Sequence, residues 1–304
     1  MKKLLLFFSL LVFTAGCSME SPGSDSGEES SGESGGDGTV KIGVSISTLN
    51  NPFFVTLRDS IEELAEEKEY ELEIVDAQDD SAKQVNDIED LVQQDVDYLI
   101  VNPTDSSAVS GSVETANAED IPVITIDRSV ESGEVAAFIA SDNVEGGELG
   151  AQYIVDELGE GAKVAELEGV PGASATRERG EGFQNVAEES LEVVTSQTAN
   201  FNRSEGLDVT QNILQANSDI QAIFAHNDEM ALGALEALSD ENVIVIGFDG
   251  TDDARNSVEN GGLEATVAQQ PDLMGEEAIN TVEQLENGET VEEEIKVELE
   301  LVTQ

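Results

Sequence analysis

From Val40 onward, short runs of β-branched apolar residues alternate with amphipathic stretches of helix length. Few folds accept such a pattern. The runs that read as strands are Val40–Ile46, Leu72–Asp76, Tyr98–Val101, Val123–Ile126, Lys163–Leu167, Glu192–Ser196, Ala222–Phe224, Val243–Gly247 and Leu263–Ala268. Helical periodicity fills the intervals, for example over Pro52–Lys68, Ser81–Gln94 and Asn143–Leu158. Strand–helix alternation predicts α/β architecture with parallel sheets. There are too many units for one compact sheet, and the pattern restarts: "VKIGVSIST" opens one series and "AKVAELEGV" a second. Two similar lobes are expected, with a break near Ser141.

The first 38 residues do not belong to this pattern. "MKKLLLFFSLLVFTAGC" has a basic start, a short apolar run and small residues before Cys17, which reads as a secretory signal over residues 1–16. "TAGC" is similar to a bacterial lipoprotein processing site, although Thr14 stands where leucine is commoner; Cys17 would be the lipidated first mature residue and tether the chain to a membrane. It is the only cysteine, so no intramolecular disulfide can form. Ser18–Gly38 is a Ser/Gly/acidic segment without a core's worth of apolar residues, and reads as a flexible linker. The folded part is expected outside the cytoplasm.

Thirteen Lys+Arg face 66 Asp+Glu, a formal net charge of −53. That balance argues against nucleic acid as a partner, because a basic surface supplies most of such affinity. The acids are spread over helix faces such as Glu62–Glu73, as a solvated surface would have them. Adaptation to high salt is the expectation, since at about 1 M salt the screening length falls to about 3 Å.

Ligands of open parallel sheets bind beyond the carboxyl ends of the strands. The residues there are Ser47, Asn51, Phe53 and Phe54 after the first run, Asn102 in "NPTDS", Asp127 and Arg128, Asn227 and Asp228, Phe248 and Asp249, and Gln269; Arg177 and Arg179 open the helix after "ELEGVPGAS". No G-x-G-x-x-G or G-x-x-x-x-G-K-[ST] follows a strand, so phosphates have no obvious cradle. Amide, carboxylate, guanidinium and aromatic groups together suit a neutral polyhydroxylated ligand, with no cofactor or metal. Asn51 can cap the first helix with Pro52 in its first turn, which would bring both phenylalanines out beside the strand end. Each phenylalanine also reads as a core residue, and Asp127–Arg128 as a local ion pair. An enzyme acting on a sugar is the competing class. It would have to use Asp127 and Asp249 as a carboxylate pair, since the one histidine, His226, reads as structural and Cys17 as the anchor.

The stretches "STLNNPFF", "IVNPTDSSAV", "IPVITIDR", "RERGEGF", "HNDEMALGAL" and "GFDGT", in this order over Val40–Val302, resemble the bacterial periplasmic ribose-binding proteins of the type I periplasmic sugar-binding family. The resemblance implies the type I periplasmic-binding-protein fold: two Rossmann-like lobes, residues 39–141 plus 270–297 and residues 142–269 plus 298–304. Three crossovers, near Ser141–Asp142, Gln269–Gln270 and Val297–Leu299, would let the lobes close on a sugar. It implies ligand contacts at Ser47, Asn51, Phe53, Phe54, Asn102, Asp127, Arg128, Arg177, Phe201, Asn227, Phe248, Asp249 and Gln269. It also implies a monomer that is not an enzyme. The partners would be D-ribose or a similar monosaccharide, the membrane permease and ATPase of an ABC importer, and a chemoreceptor in a sensory role. Within the binding class, allose, another pentose and a furanosyl signalling molecule stay open. A DNA-binding repressor of the same fold is disfavoured by the N-terminal signal and the charge.

Overall fold

The computed structural model describes residues 39–238 and 243–304. The expected signal segment, Cys17 and linker lie outside them. Two six-stranded sheets organise the chain. In the first lobe the elements run β1 (Lys41–Ile46), α1 (Pro52–Glu67), β2 (Glu71–Asp76), α2 (Ser81–Gln93), β3 (Tyr98–Val101), α3 (Ser110–Ala118), β4 (Val123–Ile126) and β5 (Ala137–Ser141). The second holds α4 (Asn143–Leu158), β6 (Ala162–Glu168), α5 (Ser174–Ser190), β7 (Leu191–Thr198), α6 (Arg203–Ala216), β8 (Ala222–Ala225), α7 (Asp228–Ala237), β9 (Ile244–Asp249), α8 (Asp252–Glu259) and β10 (Ala265–Ala268). The chain then returns through α9 (Pro271–Glu286) and β11 (Glu294–Val297) to the first sheet, and ends in the second with β12 (Glu300–Thr303).

The strand orders are β2-β1-β3-β4-β5-β11 and β7-β6-β8-β9-β10-β12. Setting aside the last strand of each, both are the 2-1-3-4-5 order of doubly wound sheets, and among the described strands only β12 runs antiparallel to its neighbour. The chain passes between the sheets three times: from β5 into α4, from β10 into α9, and from β11 to β12. Lys296 on β11 reaches Asp142 at the first passage (2.9 Å), and Gln270 at the second donates to the Glu298 carbonyl at the third (3.0 Å).

Each sheet is covered on both faces, which explains why its strands read as continuous apolar runs. In the first lobe α1 and α9 press Phe53, Leu57, Ile61, Met274 and Ile279 onto Ile42, Val44 and Ile46. On the opposite face α2 and α3 press Ile88, Leu91 and Val113 onto Leu99, Val101 and Val123. In the second lobe α4 and α5 bring Ile154 and Phe183 against Val164, Phe224 and Ile246. The acids of α1, Asp59, Glu62, Glu63, Glu66 and Glu67, are all exposed. Among the described residues no helix is long and apolar enough to cross a membrane.

Helices α4 and α5 cross so closely that a methyl at Gly182 would overlap the Val144 carbonyl, with that carbonyl carbon at 2.8 Å. Backbone cannot swing away as a side-chain tip can. Gly182→Ala is therefore expected to destabilise the protein by about 1–3 kcal/mol, the range for overpacked sites. It should show as a lower denaturant midpoint at unchanged slope.

Candidate ligand-binding site

The carboxyl ends of the two sheets face each other across a narrow cleft whose free cavity volume is only about 10 Å³. Its lining comes from both lobes: Asn51, Phe53, Phe54, Asp127 and Arg128 from the first, Ala175, Arg179, Phe201, Asn227 and Asp249 from the second.

In the first lobe β1 runs into a turn that ends at Asn51. Its side chain accepts from the Phe53 amide (2.9 Å), and Pro52 takes the first helical position. Such a cap is worth about 1 kcal/mol. It also sets the start of α1 so that Phe53 and Phe54 meet edge to face, with ring centroids 5.1 Å apart. Both rings belong to the core of the lobe and both line the cavity. Asp127 follows β4 with φ at 64°. Behind it a polar chain runs inward: Asn102 Nδ2 donates to Asp127 Oδ2 (3.2 Å), and Ser47 Oγ donates to Asn102 Oδ1 (2.6 Å). Arg128 donates from Nη1 to the Pro103 carbonyl (3.0 Å) and lies 3.4 Å from Asp127 Oδ2. Its guanidinium sits between Phe54 of its own lobe (5.1 Å) and Phe201 of the other (5.2 Å). Burial lowers its pKa, and Asp127 opposes that shift.

In the second lobe Phe201 follows β7 with φ at 59°, its ring lying against Gly169. Asn227 caps α7 by accepting from the Met230 amide (3.0 Å), and its Nδ2 donates to the Phe201 carbonyl (3.3 Å). Arg179 donates from Nε to Asn143 Oδ1 (2.8 Å) and from Nη1 to the His226 carbonyl (2.6 Å). Its guanidinium stacks 3.8 Å over the Phe248 ring and lies 3.6 Å from Asp249. Gln269 Nε2 donates to Asp249 Oδ1 (2.9 Å), while Gln269 Oε1 is buried without a partner. Asp228 works one layer back, accepting from Thr251 N (2.7 Å) and Thr266 Oγ1 (2.7 Å), and so ties the β9–α8 turn to β10.

The expected contact residues thus divide into layers. Asn51, Phe53, Phe54, Asp127, Arg128, Phe201, Asn227 and Asp249 meet at the cavity wall. Ser47 and Asn102 stand behind Asp127, Phe248 lies beneath Arg179, and Gln269 lies behind Asp249. Arg177 is misplaced in the expected set. It is exposed, donates to the Gly172 carbonyl (3.0 Å), and lines a separate polar cavity with Glu166, Glu168 and Ser196. Arg179 holds the place expected of it. Residues two apart on a helix face nearly opposite sides, and Arg179 shares its side with buried Gly182 and Phe183, three and four residues on. That spacing was legible in "RERGEGF". Ala175 carries no chemical signal and was not expected at the wall.

Two aspartates and two arginines line the cavity, so carboxyl and guanidinium groups are matched in number, which suits a neutral ligand. Carboxylates accept from hydroxyls, guanidiniums and the amide donate to them, and the aromatic faces cover C–H groups.

Burial, reinforced by Asp228 and Asp127, pushes the Asp249 carboxyl up to about 8, against the pull of Arg179; burial pushes Asp228 up to about 6. Both hold protons in the folded state that the unfolded chain has released above its ordinary value near 3.8. Folded protein then binds more protons than unfolded, so stability falls as pH rises from about 4 to about 8. Asp249→Asn is expected to flatten this slope in its upper part, between about 6 and 8, in melting temperatures of the ligand-free protein. An unchanged slope would show that Asp249 is ionised throughout.

Residues 42–290 match the family model described as a periplasmic binding protein domain. The chain is 55% identical to the ribose import binding protein of Bacillus subtilis over 302 residues, 99% of this chain and 97% of that one. It is 49% identical to the ribose import binding protein of Escherichia coli over 265 residues, 86% and 90% of the two chains. Among solved structures, a Caulobacter myo-inositol binding protein bound to myo-inositol superposes with a TM-score of 0.83 at 33% identity, covering 87% of this chain and 93% of that one. With its two parallel-sheet lobes and the polar, aromatic-lined cleft between them, the chain belongs to the periplasmic binding proteins, the extracytoplasmic substrate-binding components of importers.

Proposed function

We propose that this protein captures D-ribose in the interlobe cavity and delivers it to the membrane permease of an ATP-driven importer. The observation that carries the reading is the ring of Asp127, Arg128, Arg179 and Asp249, with the Asn51 and Asn227 amides, set between Phe53, Phe54 and Phe201. A sugar ring placed there has hydroxyl partners around its edge and aromatic cover on its faces. The ribose-import relatives support the choice of sugar. Ligand bonds first to one lobe, and the population shifts toward the closed form because only that form satisfies both sets of partners. Cys17 is proposed as the lipid anchor and residues 18–38 as the tether; both proposals rest on the sequence alone. A tether would raise the effective concentration of the binder at its permease.

Calorimetric titration of the purified protein in high salt, against ribose and a panel of pentoses and hexoses including allose, tests this reading. Micromolar or tighter binding of ribose is expected, about −8.2 kcal/mol at 1 μM, with weaker binding of the others. Asp127→Ala and Arg179→Ala should each cost at least about 2 kcal/mol of ribose affinity, roughly 30-fold, because each leaves a buried charged partner unmatched. Tight binding of a different sugar would change the substrate; no binding of any would end the reading.

The surface acidity is proposed as an adaptation to high salt. Self-repulsion across a net charge of −53 is relieved by screening. The melting temperature is expected to rise from about 0.1 M to about 1 M salt; a flat series would remove the proposal.

A further inference from the structure

Away from the cavity the lobes touch through two loops. Residues 169–173, between β6 and α5, belong to the second lobe; residues 102–109, between β3 and α3, belong to the first. The Ser106 amide donates to the Gly172 carbonyl across the cleft (2.9 Å), and the Ser129 amide donates to Ser174 Oγ (3.0 Å). Arg177 donates to the same Gly172 carbonyl from within its own lobe (3.0 Å), so the side chain that misses the cavity braces this loop. On the other side the Glu131 amide holds the Ser106 carbonyl (3.1 Å).

Gly172 fits this contact for a steric reason. A methyl there would overlap the Asp105 carboxylate, whose Cγ would stand at 2.5 Å and Cβ at 3.0 Å. The three nearest atoms all belong to Asp105, in the opposite lobe. The Asp105 side chain is not free to swing away, because its Oδ1 accepts from the Ser107 and Ala108 amides (2.9 and 2.8 Å). Gly172 is not among the glycines with positive φ, so its backbone conformation is one that a residue with a side chain can adopt. The obstruction by Asp105 exists only when the lobes are together.

We infer that Gly172 and Asp105 form a latch whose close fit sets how completely the lobes shut, and that these two residues control ligand affinity without touching ligand. The inference rests on the sugar-capture reading. A latch acts on the closed population alone, so it scales the affinity of every ligand that needs closure by the same factor.

The test is a double-mutant cycle read by calorimetry and small-angle scattering on the purified protein. Gly172→Ala is expected to weaken ribose binding roughly tenfold or more, the scale of an overpacked contact. Ranking across the sugar panel should stay unchanged, as should the melting temperature of the ligand-free protein. The ribose-saturated variant should have a larger radius of gyration than wild type. Combining it with Asp105→Ala removes the obstructing carboxylate and should bring affinity back to that of Asp105→Ala alone. Wild-type affinity in Gly172→Ala overturns the latch, and so does a loss that Asp105→Ala fails to rescue. If the wild type binds no sugar in the panel, the sugar reading fails and the latch that rests on it is overturned with it; ribose binding by the wild type with no loss in Gly172→Ala overturns the latch alone.

Discussion

Four ionisable side chains are buried where the two lobes meet: Asp127, Arg128, Arg179 and Asp249 are at most 5% exposed. Charges removed from water to this degree are tolerable only when paired and hydrogen-bonded. The pairing here is incomplete. Arg128 Nε has no hydrogen-bond partner, Arg179 stands 3.6 Å from Asp249, and Asp249 is driven toward its protonated form. All four residues line the cavity, where a polyhydroxylated ligand can supply further partners. Much of the surrounding structure holds these four groups in place, through the Ser47–Asn102 chain, Gln269, the Phe248 face and the main-chain carbonyls of Pro103 and His226. A site built this way rejects a ligand lacking the matching hydroxyls, since its own polar groups would stay unmatched.

The strands that pack on both faces were readable from the sequence because burial on two sides leaves an unbroken apolar run, as in Tyr98–Val101 and Val123–Ile126. β11 and β12 were not. "EIKV" and "ELVT" are edge strands with exposed glutamates, so their pairing leaves no hydrophobic mark. β5 has an apolar run, but it sits against the expected lobe break and was absorbed into it. At the cavity, strand-end position separated candidate residues from the rest but could not rank depth. Ser47, Asn102, Phe248 and Gln269 follow strands as Asp127 does, yet each supports a neighbour instead of forming the wall. Depth depends on which side chain reaches past which, and that is decided by tertiary packing. Arg177 and Arg179 are a different case. Helical period alone separates them, because only Arg179 lies in line with the buried Gly182 and Phe183.

Backbone conformation adds a constraint that composition does not show. Asp127, Phe201 and Asp249 all have positive φ, at 64°, 59° and 115°. Glycine would adopt these conformations at less cost, and for a phenylalanine the left-handed region is a true outlier. All three line the same cavity, each just beyond or at the end of a strand. The strain is held where a side chain is needed and the chain must turn abruptly to aim it.

The same geometry resolves the ambiguity of Phe53 and Phe54. Core residue and cavity residue are not alternatives at the carboxyl end of a doubly wound sheet, because the core of the lobe ends there. Both rings pack onto the first-lobe core with one side and form cavity wall with another. Arg128 then bridges Phe54 to Phe201, so an aromatic residue from each lobe flanks one guanidinium across the cleft. Opening the lobes separates that cation from one of its two rings, while the first-lobe core behind Phe53 and Phe54 stays intact. The wall behind Phe53 and Phe54 belongs to the fold of one lobe, and the contacts that opening would break are those crossing from lobe to lobe.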